Sequence, residues 1–368
     1  MHTYNANVYR VSGWASVRSA TQLPRHLSIA YALLTAYACL HPFSGWQPSG
    51  LPVFDFLWAP WPRYYRWLDI ILNVLGFVPL GFMLAAAWPP RWGRFAALLL
   101  TVVVATFLSL SLETAQTLLP TRVASNLDLG ANALGGFVGA LLGVLWGRRL
   151  FEHDGWLHRW YTQWLIDGHL GDMGVVLVGL WLLAQLSPHT LLFGQGDIRA
   201  FFNLPAPLPF SPERFMRLEA AIVATNIVAI GLLTRGLLKR FSLTVAGVVL
   251  LGLGARCLAG ASFYVPPEPL LWLTPGAIGG LAAGVPALVV GLMLPPVLRH
   301  SIAAVALLAG TVLVNIAPQN PYLLFNQTLI NEGHFLNFSG LTQLVAGFWP
   351  FLALGYLSAL NLLRHADR

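Results

Sequence analysis

Leu68-Asp69-Ile70-Ile71-Leu72-Asn73-Val74-Leu75-Gly76 and Leu127-Asp128-Leu129-Gly130-Ala131-Asn132-Ala133-Leu134-Gly135 are two copies of one pattern, Leu-Asp-x3-Asn-x-Leu-Gly. Each copy opens a long apolar run, 68–88 and 127–147, and a third run, 95–119, lies between them. That middle run carries Glu113 and Gln116 near its end, with Arg122 just beyond. Carboxylates and amides near the ends of hydrophobic segments are costly in lipid, so each marks a candidate site with a partner to be found. Repetition in such a chain also suggests two equivalent helices facing a shared site.

Composition sets the class. Of the 368 residues 57% are hydrophobic and 10% charged, and the mean hydropathy is +0.66. Soluble domains average about 25% charged residues, so this is a membrane chain. The net charge of +7 does not imply nucleic acid. Its basic residues are almost all arginines at the ends of apolar runs, and the single lysine, Lys239, belongs to no phosphate loop. Cys39 and Cys257 both lie in apolar runs, which predicts no structural disulfide and no cysteine-built zinc site.

Read outward from the repeat, the chain predicts an all-α, polytopic transmembrane bundle of about ten spans. Residues 1–64 form a polar lead, a first span over 27–40 and a tryptophan- and proline-rich outer loop. The first run is short, and Ala36-Tyr37-Ala38 offers a signal-peptide cleavage pattern, but an uncleaved span is the favoured reading. Residues 65–149 hold the three runs around the repeat. Residues 150–171, with Trp156, Trp160 and Trp164 at helical spacing, predict an amphipathic helix on the inner membrane surface. Residues 172–368 supply six more spans, at 173–193, 218–233, 241–259, 276–294, 302–317 and 344–363.

With both termini cytoplasmic, fourteen of the 21 Lys and Arg residues fall inside and seven outside. That is the sense of the positive-inside rule, and it predicts a multi-pass protein of a bacterial cytoplasmic membrane. The same orientation sends Asp69, Asn73, Glu113, Gln116, Asp128 and Asn132 to the outer ends of their spans, with Arg122 in the adjoining loop. Helical spacing puts Asp128, Asn132, Gly135 and Gly139 on one stripe, and Asp69, Asn73 and Gly76 on another. Gly135, Gly139, Gly143 and Gly147 form a ladder of small residues that admits a close neighbouring helix.

These residues carry a resemblance. Asn73-x3-Phe77-x-Pro79-x-Gly81, then Glu113-x2-Gln116, Arg122 and Asp128-x3-Asn132-x2-Gly135-x3-Gly139, is similar to the VanZ-like membrane domain over about residues 65–147. The segment Gly333-His334-Phe335 to Trp349-Pro350-Phe351 also resembles the tail of longer members. The resemblance implies an envelope role, with low-level teicoplanin resistance as the founding member's phenotype, and brings no catalytic residue. Gly76, Pro79, Gly81, Gly135, Gly139 and Gly143 are expected to serve helix packing.

Plainer readings stand beside these. Asp69 and Asp128 could be helix-start carboxylates that favour the positive helix end by about 0.3–1 kcal/mol. Asn73, Asn132 and Gln116 could be interhelical glue. Glu219, Asn226 and Arg256 predict a structural pairing in the second half. Glu332 and His334 in the last outer loop could be acid–base groups, yet a lone loop histidine is usually just solvated. The inner Glu152-His153-Asp154 lacks metal-ligand spacing.

The expected function is recognition of a polar envelope ligand at the outer face, either a lipid-linked precursor head group or a glycopeptide, with Asp69, Asn73, Glu113, Gln116, Arg122, Asp128 and Asn132 as the binding residues. Two alternatives remain: a transporter or flippase for an envelope lipid, and an enzyme acting on a lipid-linked substrate. No nucleophile–base pair supports catalysis. Membrane lipids are the expected surroundings, and no cofactor, metal or nucleic acid is expected.

Overall fold

The computed structural model describes residues 22–366 apart from 42, 49, 51, 62–66, 152–154, 167, 200–201, 203, 241–242, 264–266 and 319–332. Among the described residues the regular structure is all helical, apart from one isolated β-bridge, Leu165 to Leu238. The helices are α1 (Leu23–Leu40), α2 (Trp67–Ala87), α3 (Gly93–Gln116), α4 (Asn126–Leu142), α5 (Arg148–Phe151), α6 (Trp156–Trp164), α7 (His169–Ala184), α8 (Pro212–Leu237), α9 (Thr244–Phe263), α10 (Pro275–Met293), α11 (Pro296–Ile316) and α12 (Gly333–Ala366).

Local signals explain their ends. Ser125 caps α4, its hydroxyl accepting from the Leu127 amide at 3.2 Å, and Thr274 caps α10 through the Ala277 amide at 3.0 Å. Pro212, Pro275 and Pro296 open α8, α10 and α11, where a missing N–H costs nothing. Pro89-Pro90 follows the end of α2.

Among the described residues eight helices, α2–α4 and α8–α12, are long and apolar enough to cross a membrane. Leu75, Phe95, Phe107, Leu250 and Val305 are among the large apolar side chains left exposed on them. Such continuous apolar surface suits lipid, not water. The other two expected spans fall short. Helix α1 has Arg25 and His26 near its start, and α7 is only 16 residues long.

The expected fifth span, 173–193, is therefore corrected. Ala184 ends the helix, and Ser187-Pro188 disfavours its continuation. The chain then runs on without regular structure through 185–198, yet Gln185, Ser187, Leu192, Phe193 and Gln195 on it are buried. Irregular backbone at this depth survives only where protein covers it and its polar groups find partners. Arg256 on α9 donates to the Ser187 and Thr190 carbonyls, and Asn315 on α11 donates to the Gly196 carbonyl at 2.7 Å.

The expected surface helix over 150–171 is also broken. Helix α6 is nine residues long and is sewn to the end of α8. The Ile166 amide donates to the Leu237 carbonyl and the Lys239 amide to the Trp164 carbonyl, both at 2.9 Å. Tyr161 and Leu165 are buried there in the main core.

Two bundles result. In the second, α8 is central, with 72% of its apolar window covered by α9, α10, α11 and their neighbours. In the first, α2 and α4 run parallel in contact, α3 packs on α4, and α1 lies against α2 and α3. Helix α1 also touches α7 and α12, so it joins the bundles.

The glycine ladder of α4 explains the α2–α4 contact. A methyl on Gly135 or Gly139 would run into the Val74 or Val78 carbonyl, and one on Gly143 would lie 2.6 Å from the Phe82 carbonyl. Gly81 of α2 meets the Gly136 carbonyl of α4 in the same way. Backbones this close require residues without side chains. Sequence symmetry suggests that the two repeat helices flank the third; instead α4, whose glycines open two sides, is the middle helix.

Candidate functional site

The polar residues gather where α1 and α3 end and where α2 and α4 begin. A short connection from Thr117 to Ser125 returns the chain from α3 to α4, which holds the two helix ends together. Glu113 sits in the last turn of α3, 5% exposed, and its Oε2 accepts from the Ser125 amide at 2.9 Å. That carboxylate therefore faces the start of α4, where the helix dipole favours negative charge.

In the second turn of α2, Asn73 Nδ2 donates to Asp128 Oδ1 at 2.7 Å. Deeper still, Asn132 Nδ2 donates to Ser109 Oγ at 3.0 Å, and the buried Asn132 Oδ1 accepts no hydrogen bond among the described residues. Gln116 Nε2 donates to the Cys39 carbonyl at 2.9 Å, and the Arg122 guanidinium to the His41 carbonyl at 2.6 Å. The last two carbonyls lie at the end of α1, where such groups have no partner within the helix. Asp69 lies in the first turn of α2, half-buried.

These groups form one electrostatic cluster. Glu113 and Asp128 are close enough to interact, and Cys39 lies within the field of Glu113, Arg122 and Asp128. In the loop, burial pulls Arg122 below its ordinary pKa. Burial, and then the Arg122 charge, pull His41 down as well. The His41 ring in turn rests on Gly340 of α12. Over the cluster, the Gln47 amide donates to the Leu118 carbonyl at 2.9 Å, and Asn126 Nδ2 donates to the Ala59 carbonyl at 2.7 Å. The loop from α1 to α2 is thereby fastened over the cluster.

Of the residues singled out from sequence, Asn73 and Asp128 meet directly, and Glu113, Gln116, Arg122 and Asn132 each bind another element. Gly81, Gly135, Gly139 and Gly143 lie in the α2–α4 contact. Gly76 and Pro79 do not: nothing lies within 4 Å of a Gly76 methyl, and Pro79 is exposed. Helix α4 crosses the Val74–Val78 side of α2, and the Gly76 carbonyl instead accepts from the Tyr31 hydroxyl of α1 at 2.8 Å.

The expected trio in the second half is only partly joined. Arg256 and Glu219 interact electrostatically, whereas Asn226 bonds to the Ile222 carbonyl on its own helix. Glu332 and the stretch 152–154 lie outside the described residues, as does the His334 side chain.

The composition and repeat pattern do not single out the cap residue Ser125 or the α1 carbonyls. Ser125-x-x-Asp128 has the spacing of a helix-capping box, which could have marked Ser125. The carbonyls carry no sequence signal at all.

Comparison with known proteins agrees with this anatomy. The VanZ/LLP1 family model matches residues 13–147, a span that takes in α1 together with α2–α4. No curated protein and no solved structure matches the chain. Residues 13–147 are thus similar to the VanZ/LLP1 family, and the long apolar helices inside and beyond that stretch suit a multi-pass membrane protein.

Proposed function

We propose that the cluster at the shared end of α1–α4 binds the polar head group of a cell-envelope ligand at the outer face of a bacterial cytoplasmic membrane. Its ligand is a lipid-linked precursor or a glycopeptide, and its cellular effect is tolerance of teicoplanin-type antibiotics. The observation that carries this reading is the convergence of Glu113, Asp128, Asn73, Asn132 and Arg122 in one layer. Glue alone needs amides and hydroxyls. Two carboxylates close enough to repel each other need a reason to be there.

The test is binding by the full chain in lipid nanodiscs, using labelled teicoplanin and, separately, a purified lipid-linked precursor. Saturable binding of either, lost in Arg122→Ala with the protein still folded, supports the reading. Absence of binding to both sinks it.

A second reading has its own support. A helix that stops at Ala184 and continues as buried irregular chain is the construction transporters use at their substrate sites. In that reading Gln195, whose buried amide has no hydrogen-bond partner among the described residues, lies on the transport path. Flux of a fluorescent lipid across vesicles containing the protein, abolished by Gln195→Leu, would favour transport over binding.

A further inference from the structure

A second group of side chains lies at the opposite end of α1. His26, in its first turns, meets His169 and Asp172 at the start of α7, and the ligand-capable atoms of all three lie within 4.8 Å of one another. We propose that His26, His169 and Asp172 bind a divalent transition-metal ion of the zinc class.

The geometry is close to that of such a site. In a tetrahedral zinc centre, bonds of about 2.0–2.1 Å place neighbouring donor atoms about 3.3 Å apart. His26 Nδ1 already stands 3.4 Å from Asp172 Oδ2. That nitrogen is sealed from solvent and makes no hydrogen bond among the described residues, so it stands beside the carboxylate at ion-pair distance without a hydrogen bond. The His169 ring stands edge-on to His26, centroids 5.4 Å apart at 88°, and its exposed position leaves it free to turn inward. His169 and Asp172 are three residues apart on one face of α7.

The surroundings fit as well. Asp172 is 3% exposed, and its other oxygen, Oδ1, accepts from the Tyr161 hydroxyl at 2.7 Å. A carboxylate oriented by an outer hydrogen bond, with its remaining oxygen turned to the centre, is the usual arrangement around a protein-bound metal. Two imidazoles and one carboxylate suit zinc and its neighbours better than magnesium or calcium, which prefer oxygen. Three protein ligands leave a fourth position for water or an exogenous group.

This site is separate from the polar cluster. The 15 residues from His26 to His41 rise about 22 Å along a helix. Metal here would clamp α1, part of the VanZ-like domain, to α7 of the second bundle, and α6 through Tyr161.

The full chain, purified in detergent through a tag free of histidine and stripped with a chelator, is titrated with zinc against a chromogenic competitor. Cobalt(II) is substituted in parallel. Uptake of one zinc per chain is expected, with a cobalt visible spectrum typical of four-coordination. Asp172→Asn should abolish both signals, and His169→Ala should weaken binding about tenfold or more. Tyr161→Phe should weaken it roughly ten- to hundredfold, the usual effect of losing an outer hydrogen bond. His169 is exposed, so its variant still decides the matter if Asp172→Asn fails to fold. No stoichiometric uptake, or equal affinity in His169→Ala, would overturn the site.

Discussion

Asn73 on α2 donates to the Asp128 carboxylate on α4 at 2.7 Å, so the amide of one repeat copy holds the acid of the other. The copies themselves run in register, Gly135 lying against Val74 and Phe77 on either side of its counterpart Gly76. The bond is therefore diagonal: Asn73 reaches back one turn to Asp128 and not across to its own counterpart Asn132. Asn132 is left to face α3 and Ser109. Duplicated sequence has produced two parallel helices with different partners. The layer therefore contains one satisfied amide–acid pair and one buried amide oxygen still open.

That pair should be measurable. In a double-mutant cycle of Asn73→Leu and Asp128→Leu, read by thermal unfolding in detergent, the coupling should be about 0.6–1.7 kcal/mol, the range of interhelical hydrogen bonds in membranes. Strict additivity would mean that the contact contributes nothing to the α2–α4 interface.

The glycines give a sharper contrast. Gly139→Ala forces a methyl against the Val78 carbonyl, and backbone cannot move aside as a side chain tip can. A loss of about 1–3 kcal/mol is expected, as for other overpacked contacts. Gly76→Ala meets open space and should leave the unfolding temperature unchanged or raised. Equal effects at the two positions would contradict the crossing of α2 and α4.

Much of this arrangement is legible in the chain. Period and polarity mark α2–α4, and the four-residue glycine spacing predicts a close neighbour. Which glycine of α2 answers it, Gly76 or Gly81, depends on the crossing geometry, and no pattern in α2 alone contains that. The break after Ala184 is hidden for another reason. Leu186, Leu191, Leu192 and Phe193 are as apolar as any span, because the irregular segment is buried in protein. The meeting of His26 with His169 and Asp172 is invisible too, since it arises from packing of α1 on α7 across a long sequence separation.

Orientation has a direct readout. In a background of Cys39→Ser and Cys257→Ser, Gln47→Cys on the loop over the cluster should react in intact cells with an impermeant thiol reagent. Gln163→Cys on α6 should react only after the membrane is opened. Both side chains are exposed in the fold, so accessibility reports sidedness. Labelling of Gln163→Cys in intact cells would turn the polar cluster inward and remove the envelope ligand from its reach.

Glu113 separates structure from recognition at a single atom. Its Oε2 accepts the Ser125 amide, a bond that glutamine can reproduce through its own carbonyl oxygen. Glu113→Gln should therefore fold, insert and accumulate like the parent chain. Glu113→Leu cannot accept that hydrogen bond, and the partly buried Ser125 amide left without a partner should cost about 1 kcal/mol, the low end of the range for buried groups. Leucine should lower abundance and unfolding temperature together. If the charge serves a ligand, the glutamine variant loses a charge-assisted contact of about 1.5–3 kcal/mol, roughly tenfold or more in affinity. Protein level, unfolding temperature and teicoplanin susceptibility, measured side by side, distinguish the two roles. The expected result is a glutamine variant that is abundant and stable but as sensitive as the deletion strain. A glutamine variant with full tolerance would make Glu113 a cap for α4 and nothing more.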